Sequence, residues 1–150
     1  MEDGIEIVCE EPCLKAALPV AGRELRSLAA TLRQGAAAFY EQGLVPAVPQ
    51  NIVLALVTDR ESAALNKDTM GVFGPTNILS YPGSGGMAAE LALAVETMLR
   101  ESVLYGQEPA AYLVRLLAHG MLHVCGMDHG EEMFALQDKL MQSGVQSLER

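Results

Sequence analysis

Eleven residues, HGMLHVCGMDH from His119 to His129, constrain this chain more than any other stretch. They contain all three histidines of the 150-residue protein, at positions 119, 123 and 129. Residues four apart on an α-helix lie on one face, a turn apart, so His119 and His123 aim both imidazoles at one point. Gly126 follows three residues after His123, where a helix end needs a residue that tolerates the left-handed conformation. The chain can then reverse and bring His129 to the same point. Three neutral imidazoles with a fourth position open form the donor set of a catalytic zinc site rather than a structural one. The expectation is one zinc per chain, held by His119, His123 and His129.

The spacing H-x3-H-x5-H, with glycine three after the second histidine, is also the skeleton of the metzincin peptidase motif. Those peptidases carry Glu directly after the first histidine, as the base that activates water. Here that position is Gly120. The metal is implied while the peptidase base is absent. Asp128, beside the third histidine, has two readings. It orients an imidazole or acts on water as a catalytic carboxylate, or it caps the helix that follows.

The net charge of −9 argues against a protein that coats nucleic acid by bulk charge, and leaves room for an enzyme with a local basic patch. Half the residues are hydrophobic and tryptophan is absent, so the core must be aliphatic. No run approaches the ~18 apolar residues of a membrane span. The acidic start, MEDGIEIVCEE, lacks the basic and apolar regions of a signal peptide, which points to the cytoplasm. Cys9, Cys13 and Cys125 are an odd count; Cys9 and Cys13 read as small apolar residues, and Cys125 as buried beside the site.

Alternation of Ile5, Ile7 and Cys9 with acidic residues predicts a first strand, and residues 13–21 a connection. Residues 22–42 predict a helix whose buried stripe is Leu25, Leu28, Ala29, Leu32, Ala36 and Phe39. Arg26 and Arg33, with Arg23 nearby, share a face that is either solvated or a place to meet a polyanion. The apolar run 51–58 predicts a central buried strand. Thr58 and Glu61 form a capping-box signature opening a short helix to about Asn66. An irregular loop should cover 67–76, a strand 77–81 and a turn 82–86. Residues 87–105 fit one long helix, or a strand at about 90–95 followed by a helix. Pro109 opens the helix that carries His119 and His123. A last helix should run from about 130 to 143.

HGMLHVCGMDH resembles the H-G-x-L-H-x-x-G-x-D-H signature of the YbeY family of bacterial zinc-dependent endoribonucleases. Leu65 and Asn66, followed by Pro75 through Tyr81 (PTNILSY), resemble that family's second block. The resemblance implies an α/β (α+β) fold in one domain over 1–150. Its four-stranded sheet would be mostly parallel with one antiparallel strand, surrounded by about five helices. It implies that 90–95 is a strand, and that Asn77 and Ser80 line the substrate cleft. It further implies cleavage of single-stranded RNA in ribosomal RNA maturation, at the 3′ end of the small-subunit RNA, and in ribosome quality control. The small ribosomal subunit is then the expected partner, without DNA or membrane. The chain departs from the family where an aromatic-Arg pair is usual: Thr69 and Met70 stand there. Methionine can neither bind a phosphate nor offset its charge. Either another cation serves, with Lys67, Arg26 and Arg33 as candidates, or the chain is a weakened, ribosome-associated factor. A zinc metallopeptidase is the remaining alternative.

Overall fold

A computed structural model describes residues 3–84 and 87–149. The elements are β1 (Ile5–Cys9), α1 (Pro12–Ala17), α2 (Gly22–Glu41), β2 (Ile52–Val57), α3 (Asp59–Met70), β3 (Ile78–Tyr81), β4 (Ala89–Ala94), α4 (Val95–Leu104), α5 (Pro109–Val124) and α6 (Glu131–Leu148). The sheet order is β1-β2-β4-β3. β1, β2 and β4 are parallel, and β3 runs antiparallel to β4 at the edge. This is the mixed α/β arrangement expected. No helix among the described residues is long and apolar enough to cross a membrane.

The strands bury both faces, as a parallel sheet between helices must. On one face Ile52, Leu54, Leu56, Leu91 and Leu93 join the main core with the leucine stripe of α2 and the apolar sides of α5 and α6. On the other, Val57, Leu79, Ala92 and Ala94 pack with Leu65 of α3. β3 follows the same alternation: Ile78 packs on the main core and Leu79 on the opposite side. That register turns Ser80 toward α5 and the histidines.

Several boundaries differ from the sequence reading, each for a local reason. Six helices replace about five, because Pro12 occupies the first turn of a short helix, where its missing N–H costs nothing. Its Cys13 is exposed, while Cys9 is half-buried against the core. The capping box of α3 is present: Glu61 N donates to Thr58 Oγ1 at 3.1 Å and Thr58 N to Glu61 Oε1 at 3.0 Å. That helix continues past Asn66 to Met70, where Gly71 at φ +67° ends it. The strand expected at 90–95 occupies 89–94, with α4 starting directly at Val95. The last helix runs on to Leu148 because Gly144 is a packing glycine and not a stop. A Cβ there would lie 2.7 Å from Val114 Cγ1 and 3.1 Å from Leu28 Cδ1. Of the turn expected at 82–86, Gly85 and Gly86 lie outside the described residues.

Candidate metal centre

The end of α5 builds the site from main-chain atoms. Gly126, at φ +92°, follows the last helical turn. Its N–H donates to His123 O at 3.0 Å, and Met127 N donates to Leu122 O at 3.0 Å. These two bonds are the Schellman pair that closes a helix through a left-handed residue. The reversal carries Met127 back over the helix, and its carbonyl lies 3.0 Å from His123 Nδ1. A carbonyl only accepts, so Nδ1 of His123 bears the proton and Nε2 presents a lone pair.

His119 is fixed in the same sense from another element. Its Nδ1 lies 2.8 Å from Oε1 of Gln137, a buried residue of α6. Nδ1 therefore donates, and Nε2 of His119 also presents a lone pair. The two Nε2 atoms stand 3.0 Å apart. Two acceptors face each other at contact distance, an arrangement that suits a shared cation. His129 joins them across the reversal, with ring centroids 5.0 Å from His119 and 4.6 Å from His123. One ligand atom from each of the three rings lies within 4.8 Å of the others, so the cluster could hold a metal ion. Burial, above all, holds the His119 imidazole below the usual histidine range. The neighbouring histidines and Arg115 add to that effect, and the bond to Gln137 opposes it. Cys125 is fully buried, and burial pushes its thiol up to about 11, which keeps it a protonated core residue.

The histidines open onto a cleft of about 710 Å³. Asn66, Met70, Asn77, Ser80 and Asp128 line it with them. Asp128 is exposed, and α6 begins at Glu131 after Gly130 as its N-cap, with no side-chain cap, so Asp128 does not cap that helix. The ring partners seen are Gln137 and Met127 rather than Asp128. Asn77 is committed within the fold: Nδ2 donates to Glu101 Oε1 at 2.9 Å and Oδ1 accepts from Ile78 N at 2.7 Å. Asn66 Nδ2 donates to Gly74 O, and Ser62 exchanges hydrogen bonds with Thr76, which holds loop 71–76 beside the cleft.

Met70 faces the cleft, so the residue standing where an arginine was anticipated does look onto the histidines. The three candidate substitutes are engaged elsewhere. Arg26 binds Asp3 and Ile5 O, Arg33 Nε donates to Pro49 O, and Lys67 Nζ stands 5.7 Å over the Phe73 ring. Sequence reasoning overlooked Arg115, one turn before His119 on α5, exposed, and lining a cavity that has His119 in its wall. The signal was available in the four-residue spacing that also pairs His119 with His123. Gln137 gave no such signal.

Gly120 is buried against the sheet. A Cβ there would lie 2.9 Å from both Ile78 Cδ1 and Leu91 Cδ2, and 3.4 Å from Ser80 Oγ. The glycine lets α5 settle on β3 and β4.

The sequence model of the family described as Endoribonuclease YbeY matches residues 21–144. The chain is 39% identical over 117 residues to the Endoribonuclease YbeY of Oleidesulfovibrio alaskensis, covering 61% of this chain and 69% of that protein. It is 30% identical over 162 aligned positions to the one from Nitratidesulfovibrio vulgaris, covering 93% and 94%. Its fold is similar to the solution structure of a Thermotoga maritima protein, with a TM-score of 0.61 at 18% identity over 97% of this chain and 91% of that one.

Proposed function

The chain belongs to the YbeY endoribonuclease family, a family of ribosomal RNA processing whose members hydrolyse phosphodiester bonds, and we propose that it cuts single-stranded RNA at the histidine cleft with one zinc ion. His119, His123 and His129 would hold that ion. The observation that carries this reading is the pair of Nε2 lone pairs facing at 3.0 Å, each fixed by an oxygen acceptor on the opposite side of its ring. When bound, zinc supplies a Lewis-acid charge that polarises a phosphate oxygen and makes a water more acidic.

The protein's own groups do the rest. Neutral imidazoles leave the ion's double charge uncancelled, which suits an anionic substrate. Asp128, exposed in the cleft, is the carboxylate available to take a proton from water. Ser80 offers a hydroxyl to the substrate from the cleft wall. Asn77 acts by fixing the start of β3. The setting is the small ribosomal subunit in the cytoplasm, at the 3′ end of its RNA.

The peptidase alternative needs a base at position 120, where the residue is glycine and a Cβ would crowd Ile78 and Leu91 of the sheet. The weakened-factor alternative rests on Met70, and Arg115 answers it by bringing a cation to His119 from the other side.

Metal analysis of the purified protein should find one zinc per chain. Cleavage of a single-stranded RNA should stop on chelation and return with added zinc, while a duplex of the same sequence and casein stay intact. Undiminished RNA cleavage by metal-free protein would overturn the reading. Gln137→Leu should weaken zinc binding about 10–100-fold, as loss of a partner behind a ligand does. Competition against a chromogenic chelator measures this, and unchanged affinity would remove Gln137 from the site.

A further inference from the structure

A second, smaller cavity of about 230 Å³ adjoins the cleft and shares two wall residues with it, His119 and Asn77. Tyr105, Tyr112, Arg115 and Phe134 complete the part of its lining that bears on binding. The chain has only four tyrosines, three phenylalanines and no tryptophan, so three of its seven aromatic rings meet at this one place. Two of them are open to solvent, Tyr105 at 57% and Phe134 at 47%. Tyr112 is buried and edges against Tyr105, with ring centroids 6.2 Å apart. Phe134 lies 6.4 Å from the ring of His129, which ties the cavity to the third histidine.

The polar groups of the cavity sort by what they have left to offer. Glu101 Oε1 is occupied by the Tyr112 hydroxyl at 2.8 Å and by Asn77 Nδ2 at 2.9 Å. Burial and that carboxylate push the Tyr112 hydroxyl up to about 12, so it stays protonated and donating. Gln137 has given its Oε1 to His119, which leaves its amide N–H₂ as a donor. Arg115 is exposed, and the two ion pairs among the described residues belong to Arg26 and Arg100. The cavity therefore presents two exposed aromatic side chains, a spare amide donor and a guanidinium with no ion-pair partner among the described residues, next to the reacting centre of a protein whose net charge is −9.

We propose that this cavity is a nucleotide subsite. It takes the nucleotide adjoining the scissile phosphate, with the unpaired base on Tyr105 and Phe134 and the backbone phosphate on Arg115. The volume lies below the roughly 300–1,000 Å³ of a drug-sized pocket and suits one flat ring system. Stacking on aromatic faces and contact with an arginine plane are how single-stranded RNA is held without regard to sequence. A duplex cannot present such a base, so the subsite supplies the preference for single strands. The proposal rests on the endoribonuclease reading.

The test is an abasic scan. A single-stranded RNA with one cleavage position is made in versions lacking one base at a time. Each is assayed for cleavage, and for binding by fluorescence anisotropy as an uncleavable copy with a methylene in place of the scissile bridging oxygen, all with zinc-loaded protein. In the wild type, one position beside the cut should lose on the order of tenfold in kcat/KM and in affinity. In Tyr105→Ala/Phe134→Ala that position should carry no penalty, since the rings it stacked on are gone. Both side chains are exposed, so the variant should keep the wild-type melting temperature. Arg115→Gln should lower the salt dependence of binding by about 0.7 in the slope of log K against log salt, the loss of one phosphate contact. A penalty that persists in the aromatic variant, or a wild type indifferent to every missing base, overturns the subsite. If the wild type binds without cleaving, the endoribonuclease reading fails, and the binding scan still decides the subsite. Unchanged salt dependence in Arg115→Gln removes the phosphate contact.

Discussion

His123→Ala is expected to lose both the metal and the cleavage of RNA while keeping the fold. His123 sits in the middle of the cluster, with its Nε2 3.0 Å from that of His119 and its ring centroid 4.6 Å from His129. Two histidines cannot replace a three-donor site. The loss of affinity should exceed the roughly 10–100-fold typical when only a partner behind a ligand is removed. Cleavage should fall to background. The apo fold should survive, because alanine is a better helix former than histidine and the truncated ring is only half-buried. Zinc per chain, RNA cleavage and circular dichroism on the same preparation check this. Wild-type zinc stoichiometry in the variant would falsify the ligand assignment.

Gly120→Glu produces, letter for letter, the H-E-x-x-H peptidase motif, and the structure gives it the opposite outcome from the one the letters suggest. The Cβ alone would stand 2.9 Å from Ile78 Cδ1 and Leu91 Cδ2. Forcing that contact costs about 1–3 kcal/mol. Burying a carboxylate against two aliphatic chains adds several more, or else the group stays protonated at similar expense. A total near 4 kcal/mol is a large share of the ~5–15 kcal/mol that holds a domain together. The melting temperature should drop by about 10 °C, with no turnover of casein. A variant that melts with the wild type and digests casein in a chelator-sensitive way would show that α5 does not lie against the sheet as described.

Where the sequence was readable, the physics was local. The apolar run of β2, the Thr58–Glu61 capping box, Pro109 at the start of α5 and the leucine stripe of α2 all act within a turn or a strand. The meeting of three imidazoles follows from a four-residue spacing and a reversing glycine, again within eleven residues. What escaped is set by distant contacts. Gly144 stands mid-helix because Val114, Leu28 and Leu32 crowd it, and nothing beside it in the chain says so. Gln137 reaches His119 from another helix, across eighteen positions. Met127 contributes a carbonyl, which every residue has, so its identity carries no mark of its part. Glycine was the least decipherable letter: at 71 and 126 it supplies a left-handed turn, at 120 and 144 only the absence of a side chain.

The reversal after α5 also determines which substitutions a lineage carrying this site can accept. The aim of the His123 ring is written into main chain, through the carbonyl at 127, and not into a neighbouring side chain. Residue 127 can then drift among types of similar bulk without swinging the ring, whereas residue 126 is held by its dihedral angle and by Pro46, whose Cγ lies 3.1 Å from where a Cβ would stand. The Gln137 partner of His119 has no such insurance, because one codon change removes it. Of two rings four residues apart, one is inherited with the backbone and the other must be re-selected in every generation.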